Sequence, residues 1–180
     1  MEQRVRWLEN RVRRFIGEGS YTGRDIAAHI IQQRTVWLPF IAGRGVTFPA
    51  EDWPGVYLAD AAFNNAQASW LVPSDFNAVS SLTIYIHSKG TGNYRRKIAV
   101  NASVAGEDTD ALTTVNDWAQ VAVTAEKLTE LTATVANLPA MASGDIFTLW
   151  VQRDGVDAND TVGAAVYAIG AKLVYTAVGG

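Results

Sequence analysis

Cysteine does not occur among the 180 residues, which removes disulfides, thiolate zinc sites and cysteine nucleophiles and leaves the redox compartment open. Long apolar runs are missing too. The longest, VWLPFIA at 36–42, is too short to cross a bilayer or to form the core of a signal peptide, so a soluble chain without an export address is expected. Charge is scarce: Asp, Glu, Lys and Arg make up 18% of the chain, against about 25% in ordinary soluble domains. Apolar residues reach 48%, and much of the rest is Ala, Thr and Gly. A surface of small, weakly polar groups suits burial against copies of itself or against a larger particle. The two histidines, His29 and His87, stand in unrelated contexts, and no G-x-S-x-G, H-E-x-x-H, P-loop or dinucleotide signature is present. No enzymatic constellation, resident metal or cofactor is expected.

What charge there is divides unevenly. Residues 1–16 hold five arginines against two glutamates, a net +3, whereas the remainder holds ten basic and sixteen acidic residues, a net −6. A polyanionic partner such as nucleic acid is therefore not expected for the main domain. Within the basic segment Met1, Val5, Leu8, Val12 and Phe15 recur at alternating steps of four and three, the seam of a short coiled coil, with Arg4 and Glu9 at the flanking g and e positions. Two heptads do not hold together alone, so this helix calls for partner helices or a receptor surface; an amphipathic helix folded back on its own domain is the alternative. Its arginines fit a carboxylate-lined socket better than a membrane, since one aromatic pair, Trp7 and Phe15, makes a weak lipid anchor. After Gly17 and Gly19, TGRDIAAHIIQQR at 22–34 reads as a second, connecting helix, giving a helical anchor and oligomerisation segment over 1–34.

From residue 35 to 180 the period changes to two. Leu82, Ile84 and Ile86 share one face of their segment, as do Ile98, Val100, Ala102 and Val104; Leu131, Ala133 and Val135; Phe147, Leu149 and Val151; and Tyr167, Ile169, Leu173 and Tyr175. With VWLPFIA, ASWLV and WAQVAVTA this makes about eight strands, separated by turns such as KGTGN, PSDFN, AGEDTD and MASGD. The expected fold is mainly β: an antiparallel two-sheet jelly-roll sandwich preceded by the short N-terminal helices. Irregular connections at 43–67 and 105–117 favour this over a meander, and an immunoglobulin-like sandwich is the alternative.

Three segments carry a resemblance: F…ASWLVPSDFN, LTIYIHSKGTGNYRRKIAV and ASGDIFTLWVQRDGVDANDTVGAAVYAIGAKLVYT. Together, over roughly 63–176, they resemble a jelly-roll module common in structural proteins of tailed bacteriophages. The matching positions are Pro73, Asp75, Thr91, Gly92, Asn93, Gly144, Asp145, Arg153, Asp154, Asp160, Thr161 and Tyr175. Where the module commonly has a second Trp after its Thr-Gly-Asn hairpin, this chain has YRRK. The resemblance implies a virion structural protein, a capsid decoration, head-fibre or spike subunit made in the host cytoplasm and carried on the particle surface. It further implies a homo-oligomer, a trimer in modules of this kind, in contact with other virion proteins and anchored by its N-terminal part. The alternative is a tail-fibre or carbohydrate-binding module that recognises a host surface polysaccharide.

The acid-rich loop VQRDGVDANDT at 151–161 has neither the ligand spacing nor the closing Glu of a calcium loop, and its acids sit too close together to face one another across a glycosidase cleft. It reads as a hairpin tip in which Asp154 turns the chain and Arg153 pairs with Asp160 or Asp145. For a sugar, the candidate contacts are Trp53 in AEDWPG, and Tyr94 with Arg95 in YRRK, an aromatic beside a cation; packing and ordinary solvation are the competing roles. Strand alternation places Arg95 and Lys97 on the face opposite Arg96.

Overall fold

The computed structural model describes residues 31–43, 54–104 and 112–178. The heptad seam with Met1, Arg4, Val5, Leu8, Glu9, Val12 and Phe15, most of the second helix, and Trp53 lie outside the described residues. The elements are β1 (Ile31–Pro39), β2 (Ile41–Ala42), β3 (Val56–Leu58), β4 (Phe63–Leu71), β5 (Phe76–Ser88), β6 (Gly92–Ser103), β7 (Thr113–Val123), β8 (Lys127–Thr132), β9 (Ile146–Asp154) and β10 (Val166–Val178), with one 3-10 turn at Val135–Asn137.

All pairings are antiparallel. Sheet A runs β1-β10-β5-β8, with β3 also paired to β10; sheet B runs β2-β4-β9-β6-β7. Setting aside the short β2 and β3, the main strands in chain order lie 1-8-3-6 across one sheet and 2-7-4-5 across the other. This is jelly-roll order, a folded-over pair of Greek keys in which successive main strands change sheet everywhere except at the β6–β7 hairpin. The core between the sheets comes from period-two faces: Leu82, Ile84 and Ile86 from β5, Leu131 from β8 and Leu173 from β10, against Ile98, Val100, Phe147, Leu149 and Val151 from sheet B.

Several expectations change. Residues 31–34, read as helix, are the start of β1, so the β-domain begins at least four residues earlier than the 35 boundary. These residues pair with β10 in an unbroken antiparallel register from Ile31↔Val178 to Arg34↔Tyr175, and that pairing overrides the local helical spacing. The single strand expected at 36–42 is two. Phe40 carries the chain from sheet A to sheet B, just after Pro39, which has no N–H to extend the ladder. The irregular stretch 43–67 contains β3 and the first half of β4.

The face assigned to Tyr167 and Ile169 is also reversed. The β10–β5 ladder passes from Ala168↔Ile86 directly to Gly170↔Tyr85, so Ile169 is an extra residue that switches the alternation. Val166, Ala168, Ala171, Leu173 and Tyr175 face the core, while Tyr167 lies opposite His87 on the outer face. In β6 the alternation fails at its end: Val104 is exposed beyond the last paired residue, Ser103.

Gly92 opens β6 against the backbone of Thr161. A Cβ there would lie 2.6 Å from the Thr161 carbonyl oxygen and 2.8 Å from its carbon, neither of which can swing aside. Gly92→Ala is expected to destabilise the domain by about 1–3 kcal/mol, the usual range for overpacking, measured as a lower urea midpoint at unchanged slope.

Candidate functional site

Arg153 ends β9 on the inner face and is 0% exposed. Its Nε and Nη2 donate to the Asp160 carboxylate at 3.0 and 2.8 Å, a bidentate pair with both side chains fully buried. Nη1 donates to the carbonyls of Leu58 and Ala164, each at 2.9 Å, and Nη2 to that of Val162 at 2.6 Å. A longer 3.5 Å contact reaches Asp60. Asp160 in turn accepts from the backbone N–H of Arg95 at 3.1 Å and of Val162 at 3.3 Å. One guanidinium thus joins β9, the end of β3 and the segment 160–164. That segment is not a hairpin tip: β9 belongs to sheet B and β10 to sheet A, so residues 155–165 cross between sheets. Arg153 pins this crossover to the sandwich.

Asp145 takes no part in the pin, because it precedes β9 at the strand's other end and closes its own turn, accepting from the Ala142 N–H at 2.7 Å. Asp154 points to the outer face of sheet B; its Oδ1 is buried and has no hydrogen-bond partner among the described residues. The other positions of the resemblance are occupied with similar structural work. Asn93 and Thr161 bond reciprocally, N–H to Oγ1 and N–H to carbonyl, both at 2.9 Å. Thr91 Oγ1 accepts from the Ala125 N–H at 3.0 Å, Asp75 pairs with Arg34 at 2.6 Å, Pro73 accepts the turn bond from Phe76, and Tyr175 packs on Trp70 and Phe76.

YRRK divides between the two faces of sheet B. Tyr94 is 0% exposed in the core, which removes it as a sugar platform. Burial pushes its phenol well up despite the nearby Arg153 guanidinium, so it is neutral. Arg96, on the same inner face and paired across the strands with Arg153, has buried Nε and Nη1 atoms without hydrogen-bond partners among the described residues; burial pulls its pKa down, and Tyr94 opposes this. Arg95 faces outward, its Nε 2.9 Å from Asp157 and its guanidinium carbon 5.7 Å from the Trp118 ring centroid. Phe63 meets Trp118 edge to face at 5.8 Å. The acidic loop and YRRK therefore come together on the outer face of sheet B, where Gln120 also donates to the Asn159 carbonyl at 2.8 Å.

Asp157 accepts from the backbone N–H of Asn159 and from its side-chain amide, both at 2.8 Å. These bonds, the backbone one first, together with Arg95 hold its carboxyl below the usual carboxylate range against an opposing burial effect. A group so depressed stabilises the fold above its unfolded pKa, about 3.9, and that contribution is lost as pH falls through the folded value. Asp157→Asn is expected to lose less thermal stability than the wild type between pH 5 and pH 2; identical losses would contradict the assignment.

Trp53 is outside the described residues, whereas Trp70, Trp118 and Trp150 are partly covered. The most open indole among the described residues is Trp37, 50% exposed. It lies hidden within the apolar run 36–42, although Val36 and Leu38 pointing inward already required residue 37 to point out. Among the described residues no cluster of three or more His, Asp or Glu side chains is placed to hold a metal ion.

No protein-family model matches the chain, and none of the curated proteins does. Among solved structures, a chain in the structure of infectious bursal disease virus Gx strain overlaps 85% of this chain at 11% identity and TM-score 0.43, and this chain spans about a third of its length. The family 29 carbohydrate-binding module CBM29_1 from Piromyces equi overlaps 82% of this chain and 91% of its own at 12% identity and TM-score 0.41. Dimeric latent PorU from Porphyromonas gingivalis overlaps 89% of this chain and 14% of its own at 12% identity and TM-score 0.44. Overlaps this loose add nothing to what the strand order itself shows.

Proposed function

We propose that the chain is a non-enzymatic structural subunit of a bacteriophage particle, a capsid decoration, head-fibre or spike protein that displays the jelly roll at the surface and attaches through its basic N-terminal segment. The observation that carries this reading is the use made of the positions shared with the phage module. Arg153 and Asp160, Asn93 and Thr161, Thr91, Asp75 and Gly92 all lock strands, turns and the inter-sheet crossover together. They give an interlocked display domain. Exposed Ile31, Ile41, Leu71, Leu128, Ile146 and Val156 add the apolar surface of a protein that works within an assembly. The partners are copies of itself, a trimer by the resemblance, and other virion proteins. A tail-fibre or carbohydrate-binding module contacting sugar through Trp53, Tyr94 and Arg95 is the rival, and it has to do without Tyr94.

Sedimentation equilibrium tests the assembly. A trimer at micromolar concentration is expected for the full chain, and dissociation for Leu8→Asp; a wild-type monomer would overturn the oligomeric part of the proposal. Banding of phage lysates on caesium chloride tests the placement, with the chain expected in the particle band and contradicted by its confinement to the soluble fraction.

A further inference from the structure

We propose that the outer face of sheet A carries a saccharide-binding platform floored by Trp37 and Tyr85. The platform goes beyond the structural reading and does not depend on it, since neither residue belongs to the interlocked set around Arg153.

The floor is built by a sequence of local choices. Val36 and Leu38 point into the core, so Trp37 points out of the edge strand β1. On the neighbouring strand the extra residue Ile169 brings Gly170 to the outer face, opposite Tyr85 and beside Pro39. Gly170 leaves a gap that the indole fills: a Cβ there would lie 2.4 Å from Trp37 Cζ2 and 2.8 Å from Cε2. The indole therefore rests against bare backbone at Gly170 while the residue stays 50% exposed. The Tyr85 ring extends this floor, its centroid 5.6 Å from the indole at an interplanar angle of 40°. A glycine inside a strand and a bulge both weaken a sheet, and an indole left half open contributes little to the core. Their coincidence is explained by an exposed aromatic surface that something else covers.

The rim says what covers it. Lys172 stands between Trp37 and Thr83 in the cross-strand row, with Thr132 beyond, and Glu130 stands opposite Tyr85. Neither the Lys172 ammonium nor the Glu130 carboxylate takes part in an ion pair with a described residue. The ligand must then offer a flat, weakly polar face to the rings and both donors and acceptors at its edge. A pyranose does so: its axial C–H bonds meet the negative faces of the aromatic rings, and its hydroxyls donate to Glu130 and accept from Lys172. One charge of each sign on the rim selects a neutral sugar. A nucleobase would also stack, but its phosphates would approach a domain that is net acidic. The floor is an open sheet surface, so it suits an internal stretch of a polysaccharide rather than a chain end, with several copies in an oligomer adding avidity.

The test is binding of the full chain to an array of neutral oligosaccharides, α- and β-linked glucans, galactans, mannans and N-acetylhexosamine oligomers, followed by calorimetric titration of the best binder. Wild type is expected to retain at least one neutral class. Trp37→Ala and Gly170→Ala, the second by lifting the indole, are expected to weaken it at least tenfold, while Leu71→Ser on the outer face of sheet B leaves it unchanged. Lys172→Ala and Glu130→Gln, surface changes that leave the floor intact, are expected to weaken binding severalfold and keep the test open should an aromatic variant fail to fold. Wild type that retains no sugar overturns the proposal, as does binding that survives Trp37→Ala and Gly170→Ala with normal melting curves. Particle association, measured separately, fails or succeeds independently of either outcome.

Discussion

Arg153→Ala is expected to be among the most damaging single substitutions in the domain. Breaking a buried ion pair by removing one partner costs about 3–5 kcal/mol, because the other charge is left without compensation. Here Asp160 would stay buried, and the carbonyls of Leu58, Val162 and Ala164 would lose their donor at the same time. At about 2–4 °C per kcal/mol for a domain of this size, the melting temperature should fall by roughly 6–20 °C. Arg153→Lys should recover little, since an ammonium cannot reproduce the fork that holds Asp160 through both Nε and Nη2. A melting curve unchanged in Arg153→Ala would contradict the pin. The effect should be one of stability throughout the domain, because the guanidinium contacts segments of both sheets and the crossover between them.

The second large effect is expected from removing residues 1–16. The jelly roll is complete within 31–178, with β1 closing one edge of sheet A, so the truncated chain should fold and melt close to the full-length value. It should no longer incorporate into particles. If attachment runs through the arginines at 4, 6, 11, 13 and 14, washing intact particles with 1 M salt should strip the full-length protein, since screening then confines exposed charges to a reach of about 3 Å. Normal incorporation of the truncation, or salt-resistant attachment, would place the anchor elsewhere on the chain.

The parts of this structure that could be read from the sequence are those in which one local rule acts alone. Leu82, Ile84 and Ile86, or Phe147, Leu149 and Val151, alternate without interruption, and both sets are fully buried. The parts that could not be read are those in which a single residue changes the register. Ile169 reverses the faces of β10, and only the isolated Gly170 beside it signalled a bulge. Pro39 ends β1 and hands the chain to the other sheet within a run that looks continuous. Pairing was less accessible still. Asp160 and Asp145 both lay within plausible reach of Arg153, and the choice fell to Asp160 because Asp145 stands at the far end of β9. Tyr94 looked like a platform because it neighbours Arg95, but β6 turns the two to opposite faces. Trp37 is concealed for the converse reason, an aromatic among apolar neighbours whose outward direction appears only once Val36 and Leu38 are counted as inward.

The central claim, that the jelly roll is a display domain of a phage particle, is tested most directly by locating it there. Antibody raised against residues 31–178 should label the surface of purified particles in electron micrographs, and the labelled position should carry density in an averaged reconstruction that accommodates the two-sheet sandwich. Particles that bear neither label nor such density, while the protein accumulates free in the lysate, would contradict the claim.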